Sequence, residues 1–171
     1  YSSCEEVELF LNNQSLGRKK TDRSTEYKAL WSVPFKPGEL KAIGYNNKKQ
    51  VNTAILTSAS EPTQMKLTAD RDQIKADGRD LCYITVELTD KNGTRNPKAE
   101  NLVKFEIEGS ATIIGVGNAN PVSTESYQLL QRKAWQGRCI VIIRAGTHKG
   151  QFTLKAFSDG LDESKILVDL K

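Results

Sequence analysis

At 171 residues, with 37% hydrophobic residues and a formal net charge of +4, the chain has room for one large domain or two small ones. That hydrophobic fraction is low for a single large core and suits two thin sandwiches with much surface. The densest basic cluster, Arg18-Lys19-Lys20 with Arg23, has acids nearby and reads as a solvated turn, which excludes nucleic acid as a partner; no apolar run is long enough to cross a membrane.

Residues 1 to about 60 read as β throughout. Val7 to Leu11 runs into Asn12-Asn13, a turn signal, and then Ser15-Leu16-Gly17-Arg18. A polar loop is expected from Lys19 to Thr25, followed by a strand from Tyr27 to Val33. Pro34, Pro37 and Gly38 break the chain before Glu39–Tyr45, and Asn46 to Lys49 turns it into Val51–Thr57. The chain opens at Tyr1 on what reads as a strand already under way, with no Met and no signal-peptide pattern, so a fragment is expected. Ser58-Ala59-Ser60-Glu61-Pro62 is the expected linker, which sets the expected domains at 1–60 and 61–171.

The second segment continues the alternation. Met65–Ala69 and Ile74 precede an Asp77-Gly78 turn; Leu81–Thr89 then sets Ile84, Val86 and Leu88 on one face against Thr85 and Glu87 on the other. Asp90-Lys91-Asn92-Gly93 predicts a hairpin, and Val103–Gly109 alternates again. From Ala111 an apolar run meets Gly115 to Pro121, a loop too rich in breakers to lie inside a strand. Cys139-Ile140-Val141-Ile142-Ile143 is the strongest strand signal in the chain, and Gly150–Ala156 and Lys165–Leu170 close it. The fold class is all-β, two tandem immunoglobulin-like β-sandwiches.

Little in the sequence supports catalysis. Glu6 and Glu8 share the solvent face of a strand beside Glu5, and the chain lacks the alternating helices of a barrel. Asp70, Asp72, Asp77 and Asp80 do not follow calcium-loop spacing, and His148 is the single histidine, so no metal or other cofactor is expected. Gly115-x-Gly117 lacks the third glycine and the helix of a phosphate loop. Trp135, beside Arg132 and with Asn118 and Asn120 close in sequence, is the one constellation with the chemistry of a sugar platform; its plainer reading is a packing aromatic at the entrance to the Cys139 strand. By the period of two, Cys82 and Cys139 both point inward near the starts of two strands of one sandwich, where immunoglobulin domains place a bridge. Buried free thiols are the favoured reading and a Cys82–Cys139 disulfide is the alternative.

Three stretches carry a family resemblance. E-E-V-E-L-F-L-N-N-Q-S-L-G-R from Glu5 and P-G-E-L-K-A-I-G-Y from Pro37 are similar to the immunoglobulin-like domain after the barrel in bacterial β-galactosidases of glycoside hydrolase family 2. G-V-G-N-A-N-P from Gly115, followed by Trp135-Gln136-Gly137 before Cys139, resembles the C-terminal module of the same enzymes; the order from Leu67 to Gly93 is similar to invasin-type domains. Asn13 and Ala119 stand where the family usually has glycine, and Trp135 where phenylalanine is commoner. The resemblance implies retaining hydrolysis of terminal β-galactosides by a parent enzyme, periplasmic or secreted, with every catalytic residue outside this chain. It also implies that the modules brace the missing catalytic barrel or mediate assembly, with Trp135 as a contact to that barrel. It makes the first module N-terminally truncated and the second invasin-like, and it implies no conserved Cys82–Cys139 pairing. A truncated sheet predicts an open apolar face near Leu9, Leu11 and Trp31 and self-association through the first module. The rival reading is a carbohydrate-binding or adhesin-like tandem module.

Overall fold

Paired residues with positive φ make the turns of the first sheet: Asn12 (50°) with Asn13 (65°), and Asn47 (49°) with Lys48 (63°). That backbone matches strand twist in two-residue hairpin loops, and Asn tolerates it. In the computed structural model, which describes residues 1–171, the chain divides into two units, Tyr1–Ser58 and Ala59–Lys171. The boundary falls before Ser60, not after it. Ser60 N–H donates to Asp90 Oδ2 (3.0 Å) and Ser60 C=O accepts from Asn96 Nδ2 (2.9 Å), which ties the expected linker into the second unit.

The first unit is one four-stranded antiparallel sheet in the order β2-β1-β3-β4, with β1 Glu6–Leu11, β2 Gln14–Lys20, β3 Glu39–Asn46 and β4 Lys49–Thr57. The expected polar loop after Arg18 starts later, because Lys19 and Lys20 stay in the ladder opposite Val7 and Glu6. Asp22 then caps a short 3-10 turn, accepting from the Ser24 and Thr25 amides. Val7, Leu9 and Leu11 share a face with Leu40, Ala42 and Gly44 and with Asn52, Ala54 and Leu56. Residues 29–38 run across that face; Ala29 and Trp31 line a cavity of about 210 Å³ with Val7, Ala42, Gly44 and Ala54.

The expected strand Tyr27–Val33 has no ladder partner. Tyr27 C=O accepts from Ser2 N–H and Leu30 C=O from the Lys19 ammonium, but a segment lying over a face, not beside an edge, cannot join the sheet. Open apolar surface lies beside Leu11, where Phe35 and Leu56 line one groove with it. Leu9, Leu11 and Trp31 are half-buried, while Leu30, Phe35, Val51, Ile55 and Leu56 are exposed.

The second unit is a β-sandwich. A five-stranded sheet is ordered β10-β8-β12-β13-β6 and a four-stranded sheet β5-β7-β11-β9. The strands are β5 Gln64–Ala69, β6 Gln73–Ile74, β7 Leu81–Thr89, β8 Leu102–Gly109, β9 Ala111–Gly117, β10 Gln131–Lys133, β11 Arg138–Ala145, β12 Gly150–Phe157 and β13 Ser164–Leu170. All pair antiparallel except β6 with β13. The inward residues of β7 and β11, among them Ile84, Val86, Leu88, Val141 and Ile143, pack in one core with Val103, Phe105, Phe152, Leu154 and Val168 of the facing sheet. The Asp90–Gly93 turn forms, but it is not the bend of a hairpin between β7 and β8. Those strands lie in different sheets, and the turn closes on the end of β7 through a Thr89–Arg95 bridge. Asp90 anchors it. Its carboxylate accepts the amides of Ser60, Thr94 and Asn92, and these bonds, led by that from Ser60, hold it below the usual carboxylate range.

The register rules out a Cys82–Cys139 bridge. Both cysteines lie in one sheet, Cys82 opposite Ile143 and Cys139 opposite Val86, so Cys139 sits four positions along from Cys82. At about 3.3 Å per residue that is about 13 Å, against the 4.4–6.8 Å between Cα atoms that a disulfide spans. Cys4, Cys82 and Cys139 are free and buried. Burial pushes the thiols of both Cys82 and Cys139 up to about 12.

A raised folded-state value for a thiol favours the fold below its unfolded value and is lost as pH climbs towards the folded one. Stability is therefore expected to fall above about pH 9, by up to about 1.4 kcal/mol per thiol and pH unit. Cys139→Ala should flatten that alkaline decline in denaturant titrations, and a native chain at pH 8 should leave Cys82 and Cys139 unalkylated while denaturant exposes all three. Rapid native alkylation of either would show that the core is open there.

Candidate functional site

The loop between β9 and β10 gathers the polar residues the sequence singles out. β9 itself runs through Gly115 and Gly117, so the expected breaker loop starts only at Asn118. Both glycines pair with β11, and a Cβ on Gly117 would lie at ordinary contact distance, 3.4 Å from Ile140 and 3.8 Å from the Tyr127 ring. The loop returns along both sheets, with Val116 N–H donating to Tyr127 C=O (2.9 Å) and Phe105 N–H to Leu130 C=O (2.9 Å). It thus spans the gap between edge strand β9 and the β8–β10 edge of the facing sheet.

Arg132 is what the loop closes over. Its side chain is fully buried, 0% exposed. Nη1 donates to Glu125 C=O (3.0 Å), and Nη2 donates to Asn118 Oδ1 (3.1 Å) and Ser123 Oγ (3.2 Å). Nε has no hydrogen-bond partner but lies 3.7 Å from Glu125 Oε2, and the guanidinium sits 4.9 Å from the centre of the Tyr127 ring. Glu125 Oε1 in turn accepts from Lys133 N–H (3.1 Å), and Asn118 Nδ2 donates to Lys133 C=O (2.7 Å). Asn120 donates its N–H to Asn118 Oδ1 (3.0 Å) and accepts from Val122 N–H through its own Oδ1 (3.1 Å).

Arg132, Asn118 and Asn120 therefore come together, but they bond the loop to itself and to β10. They are not laid out for the hydroxyls of a sugar. Trp135 takes part in none of these bonds. It is half-buried and opens the tight turn to β11, bridging Arg138 across Gln136 (φ 49°) and Gly137 (φ 75°). On β10 Arg132 points inward and Lys133 outward, so Arg132 does not flank the indole at the surface. Arg132 donates to three loop oxygens from a buried position and so acts as a brace. Ser123, Glu125 and Tyr127, which complete the cluster, carry no sequence signal that separates them from ordinary loop residues. On the outside the loop presents Val122 (80% exposed), Tyr127 (60%), Leu129 (48%) and Leu130 (57%).

The other candidates resolve into structural roles. Glu8 accepts from Ser15 Oγ (2.7 Å) and Arg18 Nη2 (3.0 Å), bonds that hold it below the usual carboxylate range, and Glu5 accepts from Asn47 N–H (2.7 Å). Asp77 accepts from the Asp80 and Arg79 amides, Asp80 from Lys75 and Leu81, and Asp70 from Tyr83. No group of three or more such side chains is arranged to hold a metal ion. His148 donates its amide to Ser110 Oγ (3.3 Å) in the turn before β12.

The profile of glycoside hydrolase family 2 C-terminal domain 5 matches residues 65–167, which is most of the sandwich that carries this loop. The chain belongs to glycoside hydrolase family 2. A domain family of unknown function, DUF4982, matches residues 1–52. Family 2 relatives include a β-galactosidase of Bacteroides ovatus, 40% identical over 98% of this chain and 20% of its own length. Among solved structures, a family 2 glycosyl hydrolase from Bacteroides cellulosilyticus superposes with a TM-score of 0.96 at 46% identity, covering 100% of this chain and 22% of that one. A β-glycosidase from Bacteroides vulgatus gives 0.91 at 33% identity over 99% and 22%. The chain thus spans about a fifth of the length of these family 2 members.

Removing one partner of a buried ion pair typically costs about 3–5 kcal/mol. Arg132→Met is therefore expected to lower the unfolding midpoint of the sandwich by at least about 10 °C and to open the 118–130 loop to proteolysis. Trp135→Ala, at a half-buried ring, should cost less. Calorimetry of the two variants checks the order, and a larger loss from Trp135→Ala would refute the brace.

Proposed function

We propose that the chain is the non-catalytic C-terminal portion of a family 2 β-galactosidase, and that its two units support a catalytic barrel carried elsewhere in the same polypeptide. The observation that carries this reading is the 40% identity to the Bacteroides ovatus β-galactosidase along almost the whole chain, at only 20% of that enzyme's length. A putative β-glucuronidase of Formosa agariphila matches 74% of the chain at 35% and a β-glucuronidase of the same organism 98% at 27%, both below the β-galactosidase, which favours galactosides over glucuronides as the parent's substrates. Retaining hydrolysis needs two carboxyl groups about 5 Å apart across the scissile bond. The family's barrel supplies such a pair from strand ends ringed by helices, and this chain is built of strands without an α-helix.

Within this role the 118–130 loop is the surface that meets the rest of the enzyme. Val122, Tyr127, Leu129 and Leu130 stand exposed on a segment that Arg132 holds from beneath. The rival reading, a sugar-binding module, draws its polar contacts from Asn118, Asn120 and Arg132, whose bonds are already made within the loop.

The isolated chain is expected to release no nitrophenol from nitrophenyl β-galactoside or β-glucuronide at any pH, whereas the full polypeptide that carries it should cleave the galactoside faster. Turnover by the purified chain that survives removal of contaminating enzyme would overturn the non-catalytic role. A full polypeptide that prefers the glucuronide would overturn the substrate.

A further inference from the structure

The loop that Asp90 anchors contains a chemically reactive pair. Asn92 is followed by Gly93, and none of the chain's other asparagines precedes a glycine. Such a pair closes on itself readily, because glycine has no Cβ to crowd its amide nitrogen. Gly93 N gives its proton to hydroxide and attacks Asn92 Cγ. The bond from Cγ to Gly93 N forms, the bond from Cγ to Nδ2 breaks, and Nδ2 leaves as ammonia with a proton taken back from water. Water then opens the succinimide at either of its two carbonyls, leaving an aspartyl or an isoaspartyl residue at position 92. Water is the only co-reactant, and Lys91, Asn92 and Gly93 are exposed to it.

In the folded chain the groups that must move are held. The Gly93 N–H that has to be given up donates to Asp90 C=O (2.9 Å). Asn92 N–H donates to Asp90 Oδ1 (2.9 Å), and Thr94 N–H donates to the same oxygen (3.0 Å). Asp90 N–H donates to Thr94 C=O (2.9 Å), which ties the loop at its other side. Asp90 itself is 2% exposed, and its Oδ2 is occupied by Ser60 N–H. The two backbone bonds are those of a type I turn followed by a left-handed residue, here Gly93 with φ 77°. That turn sets Asn92 at ψ about 0°, and ring closure rotates the same bond by about 120° to bring Cβ and the Gly93 nitrogen onto one side.

We propose that Asn92 is the chain's site of deamidation, and that the loop closed by Asp90 holds the reaction back while the sandwich is folded. The Gly93–Asp90 hydrogen bond must break, and the Asn92 backbone must leave the turn, before attack. The folded chain is therefore expected to react at least about tenfold more slowly than the unfolded one, the rate equivalent of one hydrogen bond. Either product puts a new carboxylate two residues from that of Asp90. The isoaspartyl form also lengthens the loop backbone by one atom.

Peptide mapping of the 171-residue chain held at pH 8, native and in denaturant, tests this. In denaturant the mass gain of deamidation should appear at Asn92 before any other asparagine, and Gly93→Ala should slow it several-fold. In the native chain the same gain should appear at least about tenfold more slowly. Asp90→Ala removes the bonds to the Asn92 and Thr94 amides while keeping the reactive pair, and should speed the native reaction several-fold. Cys82 and Cys139 left unalkylated show that this variant is folded; should it unfold, the native and denatured rates of the unsubstituted chain decide alone. Equal rates in those two states would overturn the proposal. So would modification in denaturant led by another asparagine, a Gly93→Ala chain that reacts as fast, or a folded Asp90→Ala variant that reacts no faster than the unsubstituted chain.

Discussion

A β-sheet has two faces and two edges, and each must be covered, paired or made too polar to matter. The second unit meets that demand completely on its inner side. Ile84, Val86, Leu88, Val141 and Ile143 from one sheet meet Val103, Phe105, Phe152 and Leu154 from the other, and all of them are essentially excluded from solvent. The first unit has a single sheet, and the chain from Ala29 to Gly38 is all that crosses its apolar face. Its side chains supply cover but its backbone supplies no ladder. The indole N–H of Trp31 is buried with no acceptor, at a cost of about 1–3 kcal/mol.

The same demand explains a charge at the centre of the second unit's edge. Burying a guanidinium is expensive, and Coulomb attraction to one carboxylate seldom repays it unless further hydrogen bonds saturate the group. Here Glu125 gives both a backbone carbonyl and a carboxylate, Asn118 and Ser123 add oxygens, and the Tyr127 ring covers the cation. An apolar residue at position 132 fills the space but leaves Asn118, Ser123 and the loop carbonyl without their donor. The brace therefore selects one loop conformation out of the many that a stretch of Asn, Pro, Ser and Thr adopts when free.

Much of this was legible from alternation alone. The faces of β7 and β11, the paired-asparagine turns and the inward cysteines follow from a period of two and from backbone preference. The failures share a cause, because each depended on a neighbour distant in sequence. Gly115 and Gly117 look like breakers until they are seen in the ladder opposite Ile142 and Ile140 of β11. Arg132, three residues before Trp135, reads as a flank of a sugar platform until Glu125 and Asn118 are seen to fold over it. Tyr27–Val33 has the composition of a strand, yet composition cannot supply the partner that makes one. The Asp90 turn has hairpin chemistry, but whether the next strand returns to the same sheet is a matter of topology.

The pinned loop also bears on how the proposed supporting role would be filled. Apolar side chains on a mobile loop must be ordered when a partner docks, at about 0.5–1.5 kcal/mol for each flexible side chain and more for the backbone. The 118–130 backbone is ordered beforehand. Its ends are bonded to β9 and β8, and its middle is bonded to a buried cation. Val122, Tyr127, Leu129 and Leu130 are thereby offered at fixed positions, so the area they bury on contact is not offset by backbone ordering. An apolar surface raised on a sandwich edge accords with the proposed supporting role better than with the capture of varied sugars. For sugars, polar groups free to rearrange are needed, and here Asn118, Ser123 and Arg132 are bonded to one another and to the loop backbone.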